Sequence, residues 1–101
     1  MNVYNITIKV QAAIADDWIR WQREEHIPEI MQTGLFNEYK LFLLLEQEDA
    51  EGPTYITQFF AENRDNYDRY IKEFAPKLRE KAFEKWGDQF IGFRSLLQSV
   101  Q

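Results

Sequence analysis

The hydrophobic period of this chain switches between two residues and about 3.6 residues, and the order of those switches restricts its fold more than any single side chain does. Residues 3–10 (VYNITIKV) place Tyr4, Ile6, Ile8 and Val10 on one face and Asn5, Thr7 and Lys9 on the other. That alternation, rich in β-branched residues, is the pattern of a half-buried strand. Residues 15–32 repeat at helical spacing instead. There Ile14, Trp18, Ile19, Trp21 and Ile30 fall within one arc, and Asp16, Asp17, Arg20, Arg23 and Glu24 fall in the opposite one. Asp16 and Asp17 suit the positive end of a helix dipole. Gly34 stands where a left-handed cap is common. Pro28 removes a rung of the ladder and should bend the last turn.

Residues 36–48 (FNEYKLFLLLEQE) read as a second strand and 54–61 (TYITQFFA) as a third, joined into a hairpin through Glu48–Pro53. Asn63 is a good N-cap for a second helix, along which Tyr67, Tyr70, Ile71 and Phe74 recur. Pro76 breaks or restarts that helix. Leu78, Ala82, Phe83 and Trp86 carry its apolar stripe onward to Gly87, and residues 89–97 (QFIGFRSLL) form the last strand. The order β-α-β-β-α-β predicts an α+β, ferredoxin-like split βαβ sandwich with both helices on one face of the sheet. Residues 1–101 are expected to form a single domain.

Composition narrows the function. The chain is 45% hydrophobic and 16% aromatic, enough to pack a core. Without cysteine there is no disulfide, no thiolate nucleophile and no thiolate metal site, which suits a reducing cytoplasm. The start MNVYNITIKV has no basic n-region, and no apolar run approaches the roughly 20 residues of a membrane span. A net charge of −5 repels phosphate backbones. The polar face of the first strand (Asn5, Thr7, Lys9) also lacks a ring on which an RNA base could stack. Nucleic acid is therefore not an expected partner. One histidine with no suitably spaced second ligand argues against a metal. The acidic loop Glu46, Glu48, Asp49, Glu51 lacks calcium-loop spacing. The scattered glycines make no phosphate loop, and no nucleophile motif accompanies His26.

The segment Trp18–Gly34 (WIRWQREEHIPEIMQTG) is the best candidate for a site. Gln22, Glu25, His26 and Glu29 interrupt its apolar face, and polar groups in such a place need partners or line a cavity. His26 is the candidate base, since imidazole exchanges a proton near neutral pH; a histidine closing a bent helix is the alternative. Gln22 and Glu29 are its helical neighbours at i−4 and i+3. Glu25, adjacent in sequence, points elsewhere, toward Arg94 or solvent. Trp18 and Tyr39 could hold a planar ligand, and Arg94 could meet an anion or a carboxylate across a dimer. Core packing is the alternative for each ring.

The run WIRWQREEHIPEIMQTGLF, with LLEQE, EGPTYITQFF and YDRYIKEFAPKLREKAFEKWGDQFIGFRS, resembles a bacterial family of about this length that is a domain of unknown function. The likeness covers nearly the whole chain. The His26-x-Pro28 segment also resembles the His-x-Pro of the dimeric α+β barrel superfamily, including its EthD-like and antibiotic-biosynthesis-monooxygenase-like members. The resemblance implies two β-α-β-β-α-β units paired sheet to sheet. An independent feature agrees: Leu41–Leu45 is apolar on both faces, and a strand covered on one side only should alternate. A homodimer through the sheets supplies the missing cover. Two functions remain open at this point. One is a cofactor-free enzyme acting on a small molecule through His26, and the other is a non-catalytic homodimer that binds a ligand or serves as an accessory protein.

Overall fold

The strand read from residues 3–10 is the centre of the sheet. The computed structural model describes residues 1–101, whose elements are β1 (Asn2–Val10), a 3-10 turn (Ala12–Ile14), α1 (Ala15–Trp21), a π-helical turn (Gln22–His26), α2 (Ile27–Met31), β2 (Glu38–Leu43), β3 (Thr54–Ala61), α3 (Arg64–Glu73), α4 (Ala75–Trp86) and β4 (Phe90–Gln98). The four strands lie in the order β2-β3-β1-β4, and every neighbouring pair is antiparallel. This is the ferredoxin-like α+β fold.

Register assigns the two faces. Tyr4 stands opposite Phe59 and Leu96, Ile6 opposite Thr57 and Arg94, and Ile8 opposite Tyr55 and Gly92. These residues face the helices. On the other face Thr7 stands between Ile56 and Phe93, and Lys9 between Thr54 and Ile91. No helix covers that face, and it carries apolar residues in the open: Phe42 is 45%, Phe93 64% and Ile91 73% exposed. Asn5 and Gln58 lie at its centre, joined by a 3.1 Å bond from Gln58 Nε2 to Asn5 Oδ1.

The interior is divided. One cluster gathers Tyr4, Phe36 and Phe59 with Ile27 and Ile30 of α2 and Tyr70, Ala75 and Leu78 of α3 and α4. The other gathers Val10, Trp18, Trp21, Ala82 and Trp86. A domain of this size ordinarily has one contiguous core.

Three local differences from the sequence reading have physical causes. β2 ends at Leu43 because its partner β3 begins at Thr54. The Leu44 N–H to Thr54 carbonyl bond (2.9 Å) closes the ladder, and Leu45–Glu48 have no strand to pair with. Within β2, Phe42 is the apolar residue on the open face, which it shares with Glu38 and Lys40, while Leu41 and Leu43 point toward the helix side. The first helix is not continuous from 15 to 32, since it widens into the π turn before Pro28. Finally, Phe83 is 64% exposed, on the flank of an α4 stripe made by Leu78, Ala82 and Trp86. Pro76 does restart a helix, lying in the first turn of α4. Asn63 caps α3 by accepting a 2.9 Å bond from Asn66 N–H.

Candidate active site

The site is set by the π turn. Proline has no N–H, so Pro28 cannot bond the carbonyl one regular turn behind it. The Ile27 N–H instead reaches back to the Gln22 carbonyl, a five-residue step where an α-helix takes four. The widened turn resets the helical phase. Upstream, Trp18 and Trp21 belong to the second cluster. Downstream, Ile27 and Ile30 turn into the first. Single π turns of this kind occur often at functional sites.

Between the clusters lies a cavity of about 60 Å³. β1 supplies Tyr4, Ile6 and Ile8 to its wall and β4 supplies Phe90 and Arg94. Trp18, Trp21, Gln22, His26 and Ile30 come from the first helical layer, and Tyr70, Leu78, Arg79 and Ala82 from the second. Broader furrows of about 590 and 330 Å³ run along the outside of the helices. They are lined mainly by exposed Glu, Gln and Lys side chains and hold no buried polar group, so the inner cavity is the candidate.

Gln22 is only 5% exposed, lines this cavity and has no side-chain hydrogen bond to the rest of the chain. His26 is half-buried and stacks on Trp21, with ring centroids 4.6 Å apart and planes 20° apart. Burial is the main force on its ionisation, holding its pKa down to about 4, with Lys81 and Arg94 pushing the same way and Glu29 opposing them. Near neutral pH the imidazole is uncharged, so one nitrogen accepts and the other donates. Across the cavity, burial and the neighbouring Tyr4 hydroxyl push the Tyr70 phenol upward, against Arg79 and Arg94. It stays protonated. The Arg79 guanidinium donates to the Tyr4 hydroxyl over 3.1 Å.

The structure brings together His26, Trp18, Gln22 and Arg94. It does not bring in the other two expected ligand contacts. Glu29 faces the outer furrow and pairs with Lys81 at 2.7 Å, so it acts on His26 only through its charge. Tyr39 lies on β2, the far edge of the sheet, 6.4 Å from the Phe59 ring, whereas the cavity is walled by β1 and β4. Glu25 is exposed to solvent. Tyr4, Tyr70 and Arg79 belong to the site and were not anticipated. The two tyrosines read as core because they fall on apolar stripes, and Arg79 follows Leu78 on the flank of one. No group of His, Asp or Glu side chains is arranged to hold a metal ion. No helix is long and apolar enough to cross a membrane.

A four-stranded antiparallel ferredoxin-like sheet with its helices on one face defines the structural class. The chain belongs to the family described as a domain of unknown function (DUF4286), which spans residues 1–100. Its fold is similar to that of a dimeric ferredoxin-like protein from an uncultured marine organism (TM-score 0.74, 10% identity, 99% of this chain and 95% of that one). It is also similar to a variant of SnoaB, a cofactor-independent oxygenase from Streptomyces nogalater (TM-score 0.68, 11% identity, 99% and 94%). A third similar structure is a putative antibiotic biosynthesis monooxygenase from Deinococcus radiodurans (TM-score 0.70, 10% identity, 100% and 94%). At such identities the likeness establishes the fold alone. No curated protein matches the chain in sequence.

Proposed function

We propose that this chain is a homodimeric small-molecule protein, with its ligand in the cavity between the first helical layer and the sheet and His26 as the proton acceptor. The observation that carries this reading is Gln22: a residue only 5% exposed, with no side-chain hydrogen bond to the chain, that faces a hollow between two halves of the core. A polar group set in an apolar interior needs a partner or lines a cavity, and such departures from good packing concentrate at functional sites. The reaction would need no cofactor. SnoaB, described as a cofactor-independent oxygenase, supports that part of the reading by showing the fold at work without one. Trp18 forms the wall, Gln22 orients the ligand and Arg94 stands at the edge strand.

The dimer would form through the open sheet face, where Phe42, Ile91 and Phe93 lie exposed and a second copy offers a self-complementary surface. The neighbour from the marine organism is described as dimeric, which supports the pairing. The cysteine-free sequence supports a cytoplasmic setting.

A second reading, binding without turnover, is favoured by one observation. The low basicity of His26 gives it little driving force to take a proton at neutral pH. A metabolite library screened by thermal shift tests both readings, with wild type and His26→Ala in parallel. At least one compound should stabilise the wild type and lose its effect in the variant. Turnover of that compound in air then separates enzyme from binder. If no compound shifts the wild type, or if all shift the variant equally, the proposal fails.

A further inference from the structure

The charges around the cavity run against those of the whole chain. The protein carries a net charge of −5, with 17 acidic and 12 basic side chains, yet no aspartate or glutamate lines the cavity. Two arginines do, and neither has a carboxylate partner. The ion pairs of the chain involve Arg20, Arg64, Arg69 and Lys81. Arg79 is engaged only with the neutral Tyr4 hydroxyl. Arg94 projects from β4 on the helix side, level with Ile6, and its charge is felt at both His26 and Tyr70 on opposite walls. Both arginines are exposed residues that reach the cavity wall, and guanidinium groups there without a carboxylate partner suit a planar oxyanion.

The remaining groups agree with this. The Gln22 side chain, on a residue only 5% exposed that faces the same space, makes no hydrogen bond to the chain and can donate to an oxygen. Size adds a restriction. A cavity of about 60 Å³ holds no more than about two water molecules, which is the scale of one carboxylate or enolate and not of a whole ring system.

We propose that the cavity receives the oxyanionic head of a small organic acid, gripped between Arg79 and Arg94 with Gln22 completing the contacts, while the body of the ligand rests at the mouth. This deepens the functional reading above and rests on it. The oxyanion can be a carboxylate or the ionised oxygen of an acidic enol or phenol; both present the same oxygen chemistry to the arginines.

The test uses the full chain and four probes at constant ionic strength: benzoate, salicylate, the neutral isostere benzamide, and acetylacetone, whose enolate carries no carboxylate. Binding is read by the fluorescence of Trp18 and Trp21, which line the cavity. At least one anion should saturate at millimolar concentration. Benzamide should bind at least about tenfold more weakly than benzoate, the scale of one charge-assisted hydrogen bond. Arg94→Gln and Arg79→Gln should each weaken the anion by about tenfold or more, and Arg94→Lys, which keeps the charge but loses the fork, should fall in between. The carboxylate and enolate arms report which oxyanion is preferred. Benzamide binding as well as benzoate, or arginine variants with unchanged affinity, would overturn the anion assignment and leave the pocket standing. Saturation by none of the probes would overturn the assignment and count against the pocket as well.

Discussion

Gln22→Leu separates what the cavity does for stability from what it does for function. Leucine is close to glutamine in volume and removes the amide. Gln22 is 5% exposed, and its side chain makes no hydrogen bond within the chain, although its amide atoms keep some contact with solvent. Burying such a group costs about 1–3 kcal/mol by mutational measures. The leucine also packs against the apolar wall that includes Trp18, Trp21 and Ile30. Part of the cost is already offset by whatever solvent reaches the cavity, so a net stabilisation of about 1 kcal/mol is expected. For a domain of this size that is a rise in Tm of about 4–8 °C. Urea and thermal unfolding should be measured for both proteins at one protein concentration, because dimerisation links stability to concentration. The same variant should lose affinity for any ligand found in the cavity. A loss of stability of about 1 kcal/mol or more would refute the reasoning, since it would mean that the amide holds the helix in place.

Three further outcomes are expected. His26 is less basic folded than unfolded, its pKa falling from 6.5 to about 4, so the unfolded chain takes up the proton first as pH drops. The full contribution is present above 6.5 and fades toward 4, amounting to about 3 kcal/mol. His26→Gln should remove that part of the pH dependence, seen by urea titration of both proteins across the window; parallel curves would contradict it. Phe93→Asp, on the open face where Phe93 is 64% exposed, should weaken the proposed dimer by about 100-fold or more, because a symmetric interface loses the ring twice at roughly 1.5–3 kcal/mol each. Sedimentation velocity at matched concentrations reads this directly. Gly52→Ala should destabilise by more than about 1 kcal/mol, since at φ +144° the added Cβ would lie 1.7 Å from the Val10 carbonyl oxygen; an unchanged denaturation midpoint would disprove that.

The strands were legible because period two is local. The Tyr4, Ile6, Ile8, Val10 face needed only residues 3–10, and those residues lie toward the helices as expected. The end of β2 was not legible, because it depends on where β3 begins, some ten residues on. The first helix was misread in phase for a related reason. A constant 100° per residue carries Trp18 and Trp21 inward, but across the π turn it omits Ile27, which is 1% exposed. Pro28 marked the disturbance without saying that it would fall on the turn before it. The site was half legible for the same reason. His26, Gln22 and Trp18 lie on one segment whose polar interruptions stand out. Arg79 and Tyr70 arrive from the second helical layer; one is an exposed charge and the other a core ring, and only the tertiary structure shows that both reach the cavity wall. The place of Tyr39 on the edge strand away from the cavity was not legible, because strand order is not written in any one strand.

The two-part interior bears on how a guest gets in. Trp18, Trp21 and Ala82 on one side and Tyr4, Ile30 and Leu78 on the other meet across a gap rather than through continuous contact. Separating them breaks fewer van der Waals contacts than opening a solid interior would. The amide protons of the π turn should therefore exchange with solvent through small openings, ahead of those in β1 and β3. The seam would serve as the doorway, so the protein could admit a visitor without coming apart.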